Sequence, residues 1–166
     1  MGKNIFKTVK RRRKEQKTDY KNRINLLKGG KPRVVFRKTN KYLIVQYITS
    51  NAAQDKIEFC VNSKGLLKYG WPVEAQGGLK SITASYLTGL LTGKKIISEK
   101  LNPPVVDLGM IRTLHKSKPY AFIKGLIDAG LEISCKEETI PSEERITGEH
   151  LKNKIKFDEI KKNILK

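Results

Sequence analysis

The feature that most restricts the fold of this chain is an excess of basic residues at its N-terminus. Residues 1–33 hold 13 Lys and Arg against two acidic residues, Glu15 and Asp19, and residues 10–14 are an unbroken basic run. A run without apolar residues cannot bury itself in a core, so we expect a basic arm that becomes ordered on phosphates. A nuclear localisation signal has the same composition, and the run alone does not separate the two interpretations.

The whole chain carries the same imbalance in weaker form. With 35 Lys and Arg against 16 Asp and Glu in 166 residues, its formal net charge is +19. A polyanion would relieve this self-repulsion, because each phosphate that the protein neutralises releases counterions whatever the base sequence. A merely soluble basic surface is the alternative. Nucleic acid is the favoured partner, since only a weak basic amphipathic helix is present to recruit anionic lipid.

The remainder of the chain has enough apolar residues for one domain. Hydrophobic residues make up 38% of the sequence, which with the glycines is typical of a globular protein. The longest apolar run, residues 42–45, is far shorter than the ~18 residues that a membrane span needs, so we expect no membrane association. Neither the two cysteines nor the two histidines have the spacing of a zinc site or a disulfide framework. We therefore predict no cofactor and no metal.

Hydrophobic patterning predicts a three-stranded antiparallel meander after the arm. Residues 33–39 and 42–49 are rich in Val, Ile, Phe and Tyr, and Asn40-Lys41 between them predicts a hairpin. The next stretch, residues 56–62, alternates so that Ile57, Phe59 and Val61 share one face.

A helix, a strand and a second helix are predicted to follow the meander. The first helix is capped by Ser81, and its Gly89 and Gly93 would let another backbone approach closely. Residues 105–109 predict a short buried strand, and a second helix runs from Pro119 to Gly130. Because a strand, helix, strand order of this length makes a parallel crossover, the predicted fold is α/β with a mixed sheet, an α+β mixture.

Two more helical segments are predicted outside the sheet. Before it, Thr18 or Asp19 can cap a short basic helix that ends at Gly29-Gly30. The thin apolar stripe of this helix consists of Tyr20, Ile24 and Leu27. After the sheet, an acidic patch precedes a helical tail with apolar positions Leu151, Ile155, Ile160 and Ile164, which we expect to pack on the domain or on a neighbour. The expected division is a basic arm with a short helix (1–32), an α/β domain (33–135) and a C-terminal surface segment (136–166).

No motif in the sequence supports catalysis. Residues 89–95 resemble a phosphate-binding loop, but three residues separate the glycines where four are needed, and Lys95 stands where a hydroxyl would hold magnesium. Asp107 could be a metal-binding carboxylate of a nuclease, but spacing places no second acid beside it. The alternative is that Asp107 binds loop amides at the end of a strand. We predict that the protein is not an enzyme.

Candidate nucleic-acid ligands are distributed over the arm, the first strand and the hairpin. Arginine makes bidentate contacts with phosphate, and tyrosine rings can stack on bases. Tyr20, Tyr42 and Tyr47 are candidates for stacking, with core packing as the alternative for each. The basic candidates are Arg11, Arg12, Arg13, Lys14, Lys17, Arg23, Arg33, Arg37, Lys38 and Lys41.

The order of short motifs along the chain resembles a known family. Arg11-Arg12-Arg13, Thr18-Asp19-Tyr20 and Lys31-Pro32-Arg33 are followed by Tyr69-Gly70-Trp71 and by the stretches 84–91, 107–109, 124–131 and 141–150. This order is similar to the archaeal and eukaryotic-cytosolic type of large-subunit ribosomal protein eighteen, the 5S rRNA-binding protein. The similarity covers roughly residues 10–151, and the length of the chain favours the archaeal type.

The resemblance implies a structural role in the large subunit of the cytoplasmic ribosome. The domain would bind 5S rRNA and attach it to the subunit in the central protuberance. Its other partners would be large-subunit rRNA, the other 5S-binding ribosomal protein and neighbouring central-protuberance proteins. Residues that the resemblance adds to the RNA contacts are Thr18, Tyr20, Asn40, Arg145 and His150, with Arg112, His115 and Lys116 in a loop that departs from the family pattern. A magnesium nuclease and a general DNA-compacting protein are the alternatives.

Overall fold

A four-stranded mixed sheet is the frame of the fold in the computed structural model, which describes residues 8–52, 54–149 and 155–166. Strands β1 (Arg33–Lys38), β2 (Leu43–Asn51) and β3 (Gln54–Asn62) form the antiparallel meander. Strand β4 (Val105–Asp107) pairs in parallel with β1, so the order across the sheet is β3-β2-β1-β4. The predicted α/β class with a mixed sheet is confirmed.

Helices precede, cross and follow the sheet. The helices are α1 (Arg11–Lys14), α2 (Tyr20–Lys28), α3 (Ile82–Ser98), α4 (Lys118–Asp128), α5 (Glu143–Thr147) and α6 (Phe157–Leu165). Short 3-10 segments lie at Ser63–Tyr69, Val73–Gly78 and Glu137–Thr139. Helix α3 connects β3 to β4, which is the parallel crossover that the sequence predicts.

Helices α3 and α4 run parallel and touch along their backbones. A Cβ on Gly89 would lie 2.3 Å from the carbonyl oxygen of Phe122, so only glycine fits there. The Ser85 hydroxyl donates to the carbonyl of Lys118 near the start of both helices, and Gly93 meets Ala129 near their ends. Both helices therefore begin at the same end of the sheet.

The main core lies between these two helices and one face of the sheet. Val34 and Phe36 of β1 are fully buried on this face, and the Phe36 ring centroid lies 4.8 Å from that of Phe122. Tyr47 is also buried, with its hydroxyl donating to the carbonyl of Asn102 at 2.8 Å. Tyr47 thus belongs to the core, the alternative that its sequence position left open.

Strand β3 departs from the predicted alternation at a β-bulge. Tyr47 pairs with Phe59, whereas the next residue, Ile48, pairs with Ile57, so Glu58 is an extra residue on β3. An extra residue reverses the side to which the preceding side chains point. Phe59 is buried, but Ile57 is 51% exposed on the opposite face, and the prediction that they share a face is wrong for Ile57.

Helix α6 completes a second part of the core, beside α3. Its Phe157, Ile160 and Ile164 are buried, and the Phe157 ring lies 5.6 Å from that of Tyr86. The helical spacing of Ile160 and Ile164 is confirmed. Ile155, predicted in the same helix, precedes α6 but still packs against the core, and Leu151 lies outside the described residues. This segment packs on the domain.

Candidate nucleic-acid interface

The predicted arm presents its cations to solvent. Arg11, Arg12, Arg13 and Lys14 form the single-turn helix α1, which has no buried residue. The guanidinium of Arg12 donates to the Thr18 hydroxyl at 2.9 Å, and Lys17 pairs with Glu15 at 2.8 Å. Exposed ion pairs contribute little to stability, about 0–1 kcal/mol, so phosphates can replace these partners.

Helix α2 starts where the sequence predicts, and an ion pair connects it to the sheet. The Asp19 carboxylate accepts from the backbone N–H groups of Lys21 and Asn22, so Asp19 is the N-cap. Arg23 is turned toward the sheet and pairs with Asp55 of β3 at 2.9 Å. Ile24 is 52% exposed, so it does not belong to the apolar stripe that the spacing predicts. The ammonium of Lys10 lies 4.5 Å from the centre of the half-buried Tyr20 ring.

Arg33 occupies a position that differs from the expectation for an RNA-contacting residue. Its side chain is 2% exposed, beneath the surface where the other candidates lie. One guanidinium nitrogen donates to Asp107 at 3.2 Å, and the other donates to Asp55 at 2.8 Å and to the Ser50 hydroxyl at 3.1 Å. Arg33 thus links β1 to β2, β3 and β4, and we leave it out of the interface proposed below.

Asp107 has the strand-end role that was weighed against a nuclease carboxylate. Besides the pair with Arg33, its second oxygen accepts the backbone N–H of Gly109 at 2.8 Å. Both oxygens are therefore engaged within the protein.

The carboxylate of Asp55 connects α2 to the sheet through its two arginine partners. Burial alone would raise the pKa of Asp55, but hydrogen bonds from Ser50 and Arg23 and the charges of Arg33 and Arg23 outweigh it. The pKa of Asp55 therefore lies below its ordinary value of 3.8. At neutral pH the ionised carboxylate holds Arg23 and Arg33 together.

A polar cavity of about 130 Å³ is lined by residues of the arm, of α2 and of the ends of β1 and β4. The basic side chains that line it are Arg12, Lys17, Arg23 and Arg37. Arg37 is held in place because it donates to the carbonyl of Phe36 at 3.2 Å and lies against Gly109. Gly109 has a φ of +59°, and a Cβ there would lie 2.5 Å from the Arg37 guanidinium. The cavity thus brings arm, helix and strand cations to one place.

A second group of cations lies on the opposite face of the same end of β1, and two of its members were missed by sequence reasoning. Lys38 follows Arg37 along β1 and points to the other face, toward Lys118 and Lys80. Burial lowers the pKa of Lys118, and the charges of Lys38 and Lys80 lower it further. The ammonium of Lys80 donates to the carbonyl of Asn40 at 2.8 Å. Both missed lysines immediately precede predicted helix starts, but only the parallel packing of α3 and α4 brings them together.

The remaining candidates lie on the loop after β4 and on α5. Arg112, His115 and Lys116 are exposed, and the His115 ring packs edge-on against Tyr120 with centroids 6.2 Å apart. Arg145 is exposed on α5. His150 lies outside the described residues.

Two further properties of the described residues bear on function. Within 8–52, 54–149 and 155–166, no group of His, Cys, Asp and Glu side chains is placed to hold a metal ion. In the same ranges, every helix is too short or too polar to cross a membrane.

Comparison with known proteins gives consistent matches over most of the chain. The family model of ribosomal large subunit proteins 60S L5 and 50S L18 matches residues 4–103. A large ribosomal subunit protein uL18 from Korarchaeum cryptofilum is 42% identical over 146 residues, which cover 88% of this chain and 73% of the relative. The uL18 of Methanothermobacter thermautotrophicus is 39% identical, with 88% and 74% covered. The uL18 of Methanococcoides burtonii is 36% identical over 167 residues, with 96% and 94% covered.

Proposed function

This chain belongs to the ribosomal L5/L18 family of large-subunit proteins, and we propose that within the subunit it binds 5S rRNA and attaches it in the central protuberance. Membership makes it a structural constituent of the large ribosomal subunit and not an enzyme. Its role in translation is therefore carried by binding to rRNA. The identity of the RNA and the place in the subunit are the parts that we infer.

The observation that supports this proposal is the convergence of cations at one end of β1. Arg37 and Lys38 are consecutive residues that point to opposite faces of the sheet. Arg37 meets the arm and α2 at the polar cavity, while Lys38 lies on the face of the helix starts, near enough for its charge and that of Lys80 to lower the pKa of Lys118. A phosphate backbone that crosses this end of the sheet would be contacted from both faces.

The proposed contacts are mainly to phosphates, with RNA shape and a few unpaired bases giving selectivity. In the arm and α2 they are Arg11, Arg12, Arg13, Lys14, Lys17, Thr18, Tyr20 and Arg23. At the end of the sheet they are Arg37, Lys38, Asn40, Lys41, Lys80 and Lys118. The loop and C-terminal candidates, proposed to face large-subunit rRNA, complete the set: Arg112, His115, Lys116, Arg145 and His150. The other 5S-binding ribosomal protein and neighbouring central-protuberance proteins are the proposed protein partners.

Parallel titrations test the proposal. The full chain is titrated with 5S rRNA, with an unrelated structured RNA and with duplex DNA at one fixed salt concentration. We expect the tightest binding to 5S rRNA and no cleavage in the presence of Mg²⁺. Equal affinity for all three would contradict the proposal and favour a DNA-compacting protein, because charge alone does not discriminate among polyanions.

A further inference from the structure

A groove between the β1–β2 hairpin and the start of α3 has the size and lining of a site for a single nucleotide. Its volume is about 500 Å³, within the roughly 300–1,000 Å³ range of small-ligand pockets. Its walls include Lys41 and Tyr42 from the hairpin, Lys64 from the segment after β3, and Gln76, Gly77 and Lys80 before α3. No Asp or Glu is among the described residues that line it.

Tyr42 provides an aromatic surface that is held in place beside this groove. The hairpin fixes its backbone, because the N–H of Tyr42 donates to the Thr39 hydroxyl at 3.0 Å and its carbonyl accepts from that hydroxyl at 2.6 Å. The ring is half-buried against the core, and the ammonium of Lys64 lies 4.6 Å from its centre. A base stacked on an aromatic ring is more stable than an exposed ammonium above it, so a base can displace Lys64.

The other walls offer the groups that the rest of a nucleotide needs. Lys41, Lys80 and the displaced Lys64 supply three ammonium groups for phosphate oxygens. The exposed amide of Gln76 can both donate to and accept from the edge of a base. Gly77 leaves the groove open, since no atom lies within 4 Å of where its Cβ would stand.

We propose that this groove binds one unpaired nucleotide of RNA, with its base stacked on Tyr42 and its phosphate on Lys41, Lys64 and Lys80. The inference rests on the proposed binding of rRNA and adds to it a contact that reads an exposed base. A base inside a duplex is already stacked and paired, so the groove selects single-stranded RNA. Lys118 at the start of α4 is near Lys80 and can hold the adjoining phosphate.

The test compares an oligouridylate with an RNA duplex of the same charge, using the full chain at a salt concentration that screens the arm. Tyr42→Leu should weaken oligouridylate binding roughly tenfold, which is on the order of one lost stacking contact, and leave duplex binding unchanged. Tyr42→Phe should keep the affinity, because the stacking face is retained. Ultraviolet irradiation of the wild-type complex should give a uridine adduct on the peptide that contains Tyr42.

A second pair of variants keeps the test valid if Tyr42→Leu disturbs folding. Lys41→Gln with Lys80→Gln changes two exposed lysines and should reduce the Tyr42 adduct several-fold. Lys162→Gln with Lys166→Gln removes the same charge from α6 and the residue after it, and the adduct should persist. Absence of an adduct at Tyr42, or equal losses of affinity for oligouridylate and duplex in Tyr42→Leu, would overturn the proposed nucleotide site. Failure of the wild type to bind 5S rRNA would instead contradict the proposed function.

Discussion

The buried ion network around Arg33 is the residue-scale feature that most affects stability. Arg33 has lost almost all contact with water, and Asp107 and Asp55 supply the compensating charges. Removing one partner of such a group leaves a buried charge uncompensated, which costs more than the intact pair contributes. The network therefore specifies how β1 meets its neighbours.

Asp107→Ala should reduce the free energy of unfolding by about 3–5 kcal/mol, measured by urea denaturation. The reason is that the variant leaves one terminal nitrogen of the buried Arg33 guanidinium without its carboxylate partner. It also removes the acceptor of the Gly109 N–H. Glu58→Gln is the control, because it removes the charge paired with the exposed Lys56 while its amide oxygen can still accept from the Thr49 hydroxyl, and it should change stability little. Similar losses in both variants would contradict the distinction between buried and exposed pairs.

Because Asp55 titrates at acidic pH, part of the folding stability depends on pH. Because its pKa is lower in the folded chain than its ordinary 3.8, the ionised carboxylate stabilises the fold above that pH. This contribution is lost as the pH falls from about 4 toward the folded pKa. Asp55→Asn should therefore lose stability less steeply than the wild type below pH about 4, in denaturation midpoints measured across that range. Asp158→Asn, on the exposed side of α6, should follow the wild type.

At the scale of elements, the close contact between α3 and α4 makes stability sensitive to any side chain added at Gly89. Gly89→Ala should lower the free energy of unfolding by at least about 1–3 kcal/mol, because its Cβ would meet a backbone oxygen that cannot rotate away. This outweighs the gain of ~0.5–1 kcal/mol that alanine brings to a helix interior. Urea denaturation measures the change, and Gly65→Ala is the control, since nothing lies within 4 Å of its Cβ position. A stabilised Gly89→Ala would contradict the tight packing.

Local sequence signals predicted where helices and strands lie better than they predicted which side chains of each element are buried. Ser81 as the cap of α3, Asp19 as the cap of α2 and Gly89 as a contact glycine are confirmed, because each depends on groups a few residues away or on a missing side chain. Ile24 was placed on the apolar stripe of α2 and Ile57 on the same face as Phe59 and Val61, and both are exposed. For Ile57 the cause is a bulge, which depends on how β2 pairs and leaves no mark in the alternation of β3.

The candidate site shows the same limit. The sequence distinguishes basic from apolar residues but does not show which basic side chain is buried. Arg33 was therefore grouped with Arg37, although the Asp55 and Asp107 carboxylates bind its guanidinium in the interior. Lys80 and Lys118 were missed because 38 positions separate them along the chain. Only the parallel arrangement of α3 and α4 makes them neighbours of Lys38.

At the scale of the whole molecule, charge and stability are located in different parts of the chain. Residues 1–32, which exclude the buried Arg33, carry a formal charge of +10 of the total +19, whereas among the described residues the buried apolar side chains begin at Val34. Residues 8–17 contact the segment that follows them through Arg12 with Thr18 and Lys10 with Tyr20. Binding and folding should therefore respond to different changes.

Deleting residues 1–17 should hardly change the melting temperature, because no residue of the described core is lost. If the full chain neutralises roughly 6–10 phosphates, its affinity for 5S rRNA should fall about 10³ to 10⁵-fold between 50 and 200 mM salt. The truncated chain should bind more weakly at low salt and have a shallower salt dependence, as measured by titration at several salt concentrations. Unchanged affinity, or unfolding of the truncated chain, would contradict the separate roles of arm and domain.

Arg37→Ala should have a different effect from loss of the arm. The Arg37 guanidinium is oriented by the carbonyl of Phe36 and by Gly109, so it meets the RNA in one geometry, while the arm can follow any phosphate backbone. The variant should therefore lower the preference for 5S rRNA over an unrelated RNA, and its salt dependence should change by only about one phosphate contact. Lys14→Ala is the control, because an exposed arm lysine should weaken binding to both RNAs equally. Equal losses on both RNAs for Arg37→Ala would show that rigid placement does not contribute to selection, and the proposed selectivity would then have to come from the loop after β4 or from the groove beside Tyr42.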